Sequence, residues 1–163
     1  MTPLPALAAG LLALPVLSGA ADTGDAPAPS RVVNGPFEVR LTPHPATGAA
    51  DGFARMSLDK SFHGPLEATG RGEMIAFRSA TPGSAGYVAL ETVTGTLEGH
   101  AGSFVLQHSS TLARGQPTQS VTVVPDSGTG GLDGIAGRMT IDVGPGDAHA
   151  YRFEYTLPAA RGQ

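Results

Sequence analysis

The most informative absence from this chain of 163 residues is cysteine, which does not occur at all. Without cysteine there is no disulfide framework, no thiolate nucleophile and no zinc site of the cysteine type. We also expect no bacterial lipoprotein anchor, because that anchor is attached through a cysteine. The folded part must therefore be stabilised by packing alone.

Positive charge is also scarce and dispersed. Ten Lys and Arg residues stand against 14 Asp and Glu, which gives a net charge of -4, and no basic cluster occurs along the chain. This distribution predicts no nucleic-acid partner. The five histidines lie in separate segments without helical i, i+4 spacing. The sequence contains no complete phosphate-loop or dinucleotide-loop motif. The sequence therefore predicts no metal ion and no cofactor.

Long apolar stretches are missing except at the beginning of the chain, where one runs from Leu4 to Leu17. The small residues Ser18 to Ala21 follow it and suit cleavage, which is typical of a secretory signal, although no Lys or Arg precedes the run. The run is shorter than the roughly 20 residues that span a bilayer, so we expect no membrane span. A buried N-terminal helix is the alternative, and its two prolines and glycine argue against that.

These observations divide the chain into four parts. We predict a signal peptide over 1–21, a flexible spacer rich in Pro, Gly and Ala over 22–35, a folded domain over 36–158 and a C-terminal tail over 159–163. We expect export to the periplasm or the extracellular space after cleavage. The folded part is long enough for one modest core.

Sustained helical periodicity is absent after residue 22, and short β-rich runs recur instead between turns that contain glycine. Eight strands are predicted, at 36–42, 53–62, 66–78, 86–97, 102–112, 118–124, 136–143 and 149–157. Eight antiparallel strands in hairpin order predict an all-β fold, a single closed eight-stranded barrel without exposed sheet edges. Such a barrel is either filled by side chains or hollow enough to hold one small ligand.

Alternation along the strands places polar side chains on faces that are otherwise apolar. In the stretch GSFVLQHSS at 102–110, His108 lies on the same face as Phe104 and Leu106. The strand 66–78 is predicted to direct Glu73 inward together with Ile75 and Phe77. The complete set of polar interior candidates, and hence of candidate binding residues, is Lys60, Glu73, Tyr87, Glu91, His108 and Tyr155.

Two interpretations of this polar set remain open. Buried charges are costly unless paired, and a concave apolar pocket with converging polar groups is the usual form of a small-molecule site. A single core histidine hydrogen-bonded to one glutamate would produce the same pattern without any ligand. Glu91 could also point outward, because strand 86–97 is apolar on both sides.

One further motif invites a catalytic interpretation. The segment DSGTG at 126–130 resembles the active-site loop of aspartic proteases. That chemistry requires two such aspartates to share a proton, and this chain contains one copy. We therefore interpret the segment as a tight turn between strands.

The stretch YVALETVTGTLEGHAGSFVLQHSSTLARG, followed by VVPDSGTGGLDGIAG and HAYRFEYTL, resembles a bacterial domain-of-unknown-function family. That family is in turn similar to the allene oxide cyclase-like barrels. The resemblance extends from about Phe53 to Leu157. It departs from the family pattern at Asp126, where we expect glycine, and at Gly131, where we expect an acidic residue. It implies a closed eight-stranded barrel with a central cavity and implies no particular reaction.

Three functions follow from these expectations. The first is an exported barrel that binds a small, mostly apolar ligand in its interior. The second is a cofactor-free cyclase or isomerase that moves a proton with His108 or Glu91. The third is a structural or interaction protein with a filled barrel. The sequence leaves open whether the protein is an enzyme, and its oligomeric state.

Overall fold

A computed structural model describes residues 28–45 and 52–158 of the chain. The predicted signal peptide, residues 22–27 of the predicted spacer and the tail 159–163 lie outside the described residues. The described residues form nine strands and one short 3₁₀ turn at Pro145–Asp147. The strands are β1 Arg31–His44, β2 Phe53–Phe62, β3 Leu66–Arg78, β4 Ala85–Leu97, β5 His100–Ala113, β6 Gln116–Val123, β7 Thr129–Gly130, β8 Ala136–Val143 and β9 His149–Thr156.

Eight of these strands close into an antiparallel barrel. Their order is β4-β3-β2-β1-β9-β8-β6-β5, and β4 also pairs with β5, which joins the two ends of the sheet. The two-residue strand β7 pairs with the beginning of β5, where Thr129 lies opposite Ser103 and Gly130 opposite Gly102. The predicted all-β fold and closed eight-stranded barrel are therefore confirmed. The described part of the chain contains no helix with the length and apolar character of a membrane span.

The predicted strands agree with the observed ones to within two residues, except at the beginning of β1. That strand starts at Arg31 and pairs residues 31–37 with β9. Assigning 31–35 to a flexible spacer was therefore wrong. The Asn-Gly-Pro sequence at 34–36 has turn character and masks the strand, whereas Val33 is in fact buried in the core.

The interior of the barrel is filled at one end. Apolar side chains from most strands meet there, and the rings of Phe104, Phe153 and Tyr155 stack at centroid distances of 5.6 and 5.3 Å. Leu132 and Ile135, from the loop after β7, cover this end and are fully buried. The opposite end contains only a small cluster of Leu58, Met74 and Ala89, which leaves space within the barrel.

The DSGTG segment begins in a turn and ends in strand β7, and it is hydrogen-bonded to the filled end of the barrel. The Ser127 hydroxyl accepts a hydrogen bond from the Val105 amide (3.0 Å) and donates one to the Val124 carbonyl (2.7 Å). Asp126 adopts a positive φ of 59°, which is a conformation that aspartate tolerates in turns. These contacts support the interpretation of this segment as a turn.

Candidate functional site

The open end of the barrel holds a cavity of about 630 Å³. Its walls are mostly apolar, and the aliphatic side chains among them include Val39, Met56, Leu58, Met74 and Ile141. The mouth lies where β1, β3, β5 and β8 end and β2, β4, β6 and β9 begin. A volume of several hundred cubic ångström is in the usual range of small-molecule sites.

Three ionisable side chains meet at the floor of this cavity. Glu91 Oε2 accepts hydrogen bonds from Lys60 Nζ at 2.7 Å and lies 2.9 Å from His108 Nε2. All three are buried, with exposed fractions of 8% for Lys60, 0% for Glu91 and 3% for His108. Lys60 and His108 line the cavity, whereas Glu91 lies behind them, towards the filled end. We call these three residues the floor cluster.

The cluster draws on three strands, and Gly70 on β3 allows them to meet. Lys60 on β2 pairs with Gly70, and Glu91 lies on β4, the strand beyond β3. A Cβ atom at Gly70 would lie 1.9 Å from Glu91 Oε1. Because glycine has no side chain, Lys60 extends across β3 and reaches the carboxylate.

Glu91 is held in its charged form. Burial alone would raise the pKa of Glu91, but the hydrogen bond with His108 and the positive charge of Lys60 outweigh burial and lower this pKa below its ordinary value. Its second oxygen, Oε1, has no hydrogen-bond partner and is the single buried side-chain polar atom in this state among the described residues. The carboxylate therefore concentrates both of its interactions on Oε2.

Lys60 has a second source of stabilisation. Its ammonium group lies 5.3 Å from the ring centroid of Phe37 and 5.5 Å from that of Phe62. Aromatic faces within about 6 Å attract a cation, and more strongly where water is excluded. The two rings and Glu91 together compensate part of the hydration that Lys60 loses on burial.

His108 directs its two ring nitrogens to different surroundings. Nε2 faces Glu91, whereas Nδ1 has no hydrogen-bond partner among the described residues. Since the side chain lines the cavity, Nδ1 is available to a bound molecule. A carboxylate on one nitrogen fixes the ring orientation and favours a proton on that nitrogen, so that the other nitrogen can accept a proton.

The structure separates the remaining candidates of the sequence analysis. Tyr87 is half-buried and forms part of the cavity wall. Tyr155 is buried at the filled end, away from the cavity, and donates a hydrogen bond to Glu98 Oε2 at 2.5 Å. Burial is the main factor that raises the pKa of the Tyr155 hydroxyl, and the hydrogen bond with Glu98 adds to it.

The predicted interior position of Glu73 is wrong. This residue lies on the outer face of β3 and pairs with Arg55 at 2.8 Å, an interaction that lowers its pKa. Its companions Ile75 and Phe77 are likewise exposed on the outer side, with fractions of 49% and 42%. The inward residues of β3 are instead Gly70, Gly72, Met74 and Ala76. Glu73 therefore contributes nothing to the floor of the cavity.

Sequence reasoning missed two basic residues that line the cavity, Arg78 and His149. His149 stands two residues before Tyr151 in HAYRFEYTL, so the alternation contained the necessary signal. Its ring lies 5.2 Å from that of Phe37. Arg78 is the last residue of β3. It lies on the same face as Met74 and Ala76, which the sequence analysis did not take as the inner face. Among the described residues no three His, Asp or Glu side chains are grouped as potential metal ligands.

Comparison with known proteins agrees with this architecture. A family model described as a protein of unknown function (DUF3224) matches residues 33–155. The crystal structure of a DUF3224 protein of unknown function from Shewanella oneidensis MR-1 is similar, with a TM-score of 0.75 and 44% sequence identity. The match covers 81% of this chain and 100% of the other. No curated protein matches the chain at a significant level.

Proposed function

The chain belongs to the DUF3224 family of proteins of unknown function, and we propose that this member binds a small, mostly apolar molecule in the open end of its barrel. The observation that carries the proposal is the combination of an apolar cavity of about 630 Å³ with Lys60 and His108 at its floor. Apolar walls supply affinity, and a few convergent polar groups fix the orientation of a ligand.

The alternative of a purely structural barrel accounts less well for the open end. A structural barrel gains stability from each interior position that is filled, as the stacked rings at the other end are. Here small residues, namely Ala54, Ala76, Ala85 and Ala89, line the cavity instead. Larger side chains at these positions would bury more apolar surface, so the empty volume is consistent with a ligand.

A fluorescent apolar probe tests this proposal. N-phenyl-1-naphthylamine is uncharged, and its emission rises when it leaves water. We expect one molecule to bind per barrel. The variant Ala76→Phe places a ring in the cavity and should weaken binding by about tenfold or more, equivalent to at least 1.4 kcal/mol. The matched control Ile75→Phe adds a ring on the outer face of the same strand and should bind the probe as the unmodified protein does.

Two outcomes would refute ligand binding in the cavity. One is the absence of saturable probe binding. The other is binding that persists in Ala76→Phe and falls in Ile75→Phe, which would place the probe on the outer surface. Circular dichroism of each variant establishes that the barrel is intact before the affinities are compared.

A second candidate function, a cofactor-free isomerase or cyclase, is favoured by the arrangement of His108. Glu91 orients the ring through Nε2 and leaves Nδ1 free towards the cavity, as a general base requires. We further propose that the barrel resembles the allene oxide cyclase-like barrels. This resemblance supports the enzyme candidate by analogy of fold alone. If the protein is such an enzyme, exchange of an acidic C–H proton of a bound ketone with deuterated solvent should be lost in His108→Gln.

We also propose that the barrel is exported after removal of residues 1–21. The apolar run and the small residues that follow it support this proposal. N-terminal sequencing of protein recovered outside the cytoplasm should give a start near Ala21 or Asp22. An intact Met1 on that material would refute it.

A further inference from the structure

We propose that the ligand carries a single negative charge, which binds at the floor against Lys60 and His108, and that His108 takes up one proton on binding. This inference rests on the proposed function and names the chemical class of the ligand. The proposed ligand has an apolar body and one anionic group, such as a carboxylate or a sulfonate. The charge distribution of the cavity and the geometry of the floor cluster support it.

The first observation is that, among the described residues, the cavity is lined by four basic side chains and by no Asp or Glu. These basic residues are Lys60, Arg78, His108 and His149. The nearest carboxylate, Glu91, lies behind the floor and is committed to Lys60 and His108. A cation would meet no accessible countercharge, whereas an anion would meet several basic groups.

The second observation is the charge balance of the floor cluster. With His108 neutral, the positive charge of Lys60 cancels the negative charge of Glu91. An anion brought to this floor would then be a buried charge without compensation, which is costly. One additional proton on His108 gives the cluster a net charge of +1, and a bound monoanion returns the sum to zero.

The third observation is that His108 has the geometry to accept this proton. Nε2 already faces Glu91, so a second proton enters at Nδ1, the nitrogen that is available to the cavity. The protonated Nδ1 then donates a hydrogen bond to the anion. Charge-assisted hydrogen bonds of this kind are about twice as strong as neutral ones.

The other ionisable groups around His108 leave this assignment intact. Lys60 on β2 and Arg78 on β3 bring positive charge, Glu91 and Tyr87 come from β4, and His149 comes from β9. Strands β1, β6 and β8 contribute no ionisable side chain to the cavity. Glu91 is thus the one carboxylate in contact with His108 among the described residues, and it stabilises the added proton directly.

A matched pair of probes tests the inference. 1-Anilinonaphthalene-8-sulfonate has the same aromatic body as N-phenyl-1-naphthylamine and adds one sulfonate, which stays ionised throughout the working pH range. Titration calorimetry in buffers of different ionisation enthalpy measures the number of protons exchanged. We expect the sulfonate to be accompanied by uptake of up to one proton and the uncharged probe by none. The association constant of the sulfonate should fall as the pH rises, by up to tenfold per pH unit.

Two variants locate the proton. His108→Gln should abolish proton uptake and weaken the sulfonate selectively, while binding of the uncharged probe persists. Arg78→Gln, at the mouth of the cavity, should retain the uptake. If His108→Gln does not fold, the ring protons of His108 in the unmodified protein provide the same information, since their NMR resonances should shift to the protonated position when the sulfonate binds.

The results separate failure of the inference about ligand charge from failure of the proposed function. Sulfonate binding without proton uptake, or uptake that depends on Arg78 and persists in His108→Gln, would overturn the inference. Binding of the uncharged probe alone would overturn it as well and leave the proposed function intact. If neither probe binds, the proposed function itself fails.

Discussion

The buried carboxylate of Glu91 depends on its neighbours to compensate for the hydration that it loses. Its carboxylate is completely buried and receives two basic partners on the same oxygen. Neither partner alone would return all the hydration energy that the carboxylate loses on burial. The other oxygen has no side-chain or backbone partner among the described residues, so both basic partners act on one atom. This geometry supports the proposal that the cluster serves binding as well as folding.

The first prediction concerns the removal of single members of this cluster. Glu91→Gln leaves Lys60 as a buried cation without its carboxylate, and Lys60→Met leaves the carboxylate with His108 alone. Each change should lower the free energy of unfolding by about 3–5 kcal/mol, because an unpaired buried charge remains. The double variant should lose less than the sum of the two. Urea denaturation midpoints measure all three, and strictly additive losses would contradict the coupling.

A second prediction uses the protonation of the same carboxyl group. Because the pKa of Glu91 is lower in the folded protein than in the unfolded chain, the ionised form stabilises the fold. This contribution is fully present above the ordinary glutamate pKa of about 4.3 and is lost as the pH falls through the lower, folded value. Melting temperatures between pH 7 and pH 3 should therefore fall less steeply for Glu91→Gln than for the unmodified protein. Parallel curves would show that Glu91 does not titrate with folding.

At the scale of the element, strand β3 explains both an error and the site itself. The alternation in GEMIAF offers two apolar faces, one with Ile75 and Phe77 and one with Met74 and Ala76. Sequence reasoning chose the face with the larger side chains as the inner one, and the structure shows the opposite. The inner face carries Gly70, Gly72 and Ala76 beside Met74, and the missing side chain at Gly70 lets Lys60 and Glu91 meet across the strand.

The other strands were predictable because a single face was clearly apolar. The inward positions of Phe104, Leu106 and His108 on β5 follow from alternation, as do those of Tyr151 and Phe153 on β9. What alternation does not provide is the register between strands. Lys60 contacts Glu91 across an intervening strand and with a stagger that barrel closure imposes. Their meeting therefore becomes visible only in three dimensions.

The close approach of Glu91 to Gly70 on β3 can be tested by adding a methyl group at Gly70. Gly70→Ala places a Cβ atom 1.9 Å from Glu91 Oε1, so the carboxylate must move away from Lys60. Overpacking of this kind costs about 1–3 kcal/mol of stability. The matched control is Gly86→Ala on β4, where the nearest atom to the new Cβ lies at 3.5 Å and little change is expected.

A second background distinguishes crowding from backbone effects. In Glu91→Ala the space beside Gly70 is vacated, so the further change Gly70→Ala should cost much less than it does in the unmodified protein. Chemical denaturation of the single and double variants supplies the comparison. Equal costs in both backgrounds would mean that Gly70 is required for the conformation of β3 and not for the position of Glu91.

At the scale of the whole molecule, the barrel is divided by the floor cluster into a filled half and an open half. Stacked aromatic and branched side chains pack the first, whereas the lining of the second includes several alanine and glycine positions that leave space between its larger side chains. The closed barrel was predictable from eight alternating strands. Which half would be hollow was not, because the volume depends on residues from eight strands at the same height along the barrel axis.

This division predicts a gradient of local stability along single strands. The amides of Val93 and Phe104 belong to the filled half, and those of Tyr87 and Ser110 belong to the open half of the same two strands. All four lie within paired strands, so differences in exchange with deuterium should reflect packing and not the loss of pairing. We expect slower exchange in the filled half, and slower exchange in the open half once N-phenyl-1-naphthylamine saturates the cavity. Uniform protection in the free protein, unchanged by the probe, would show that the barrel opens as one unit and that the cavity does not weaken its walls.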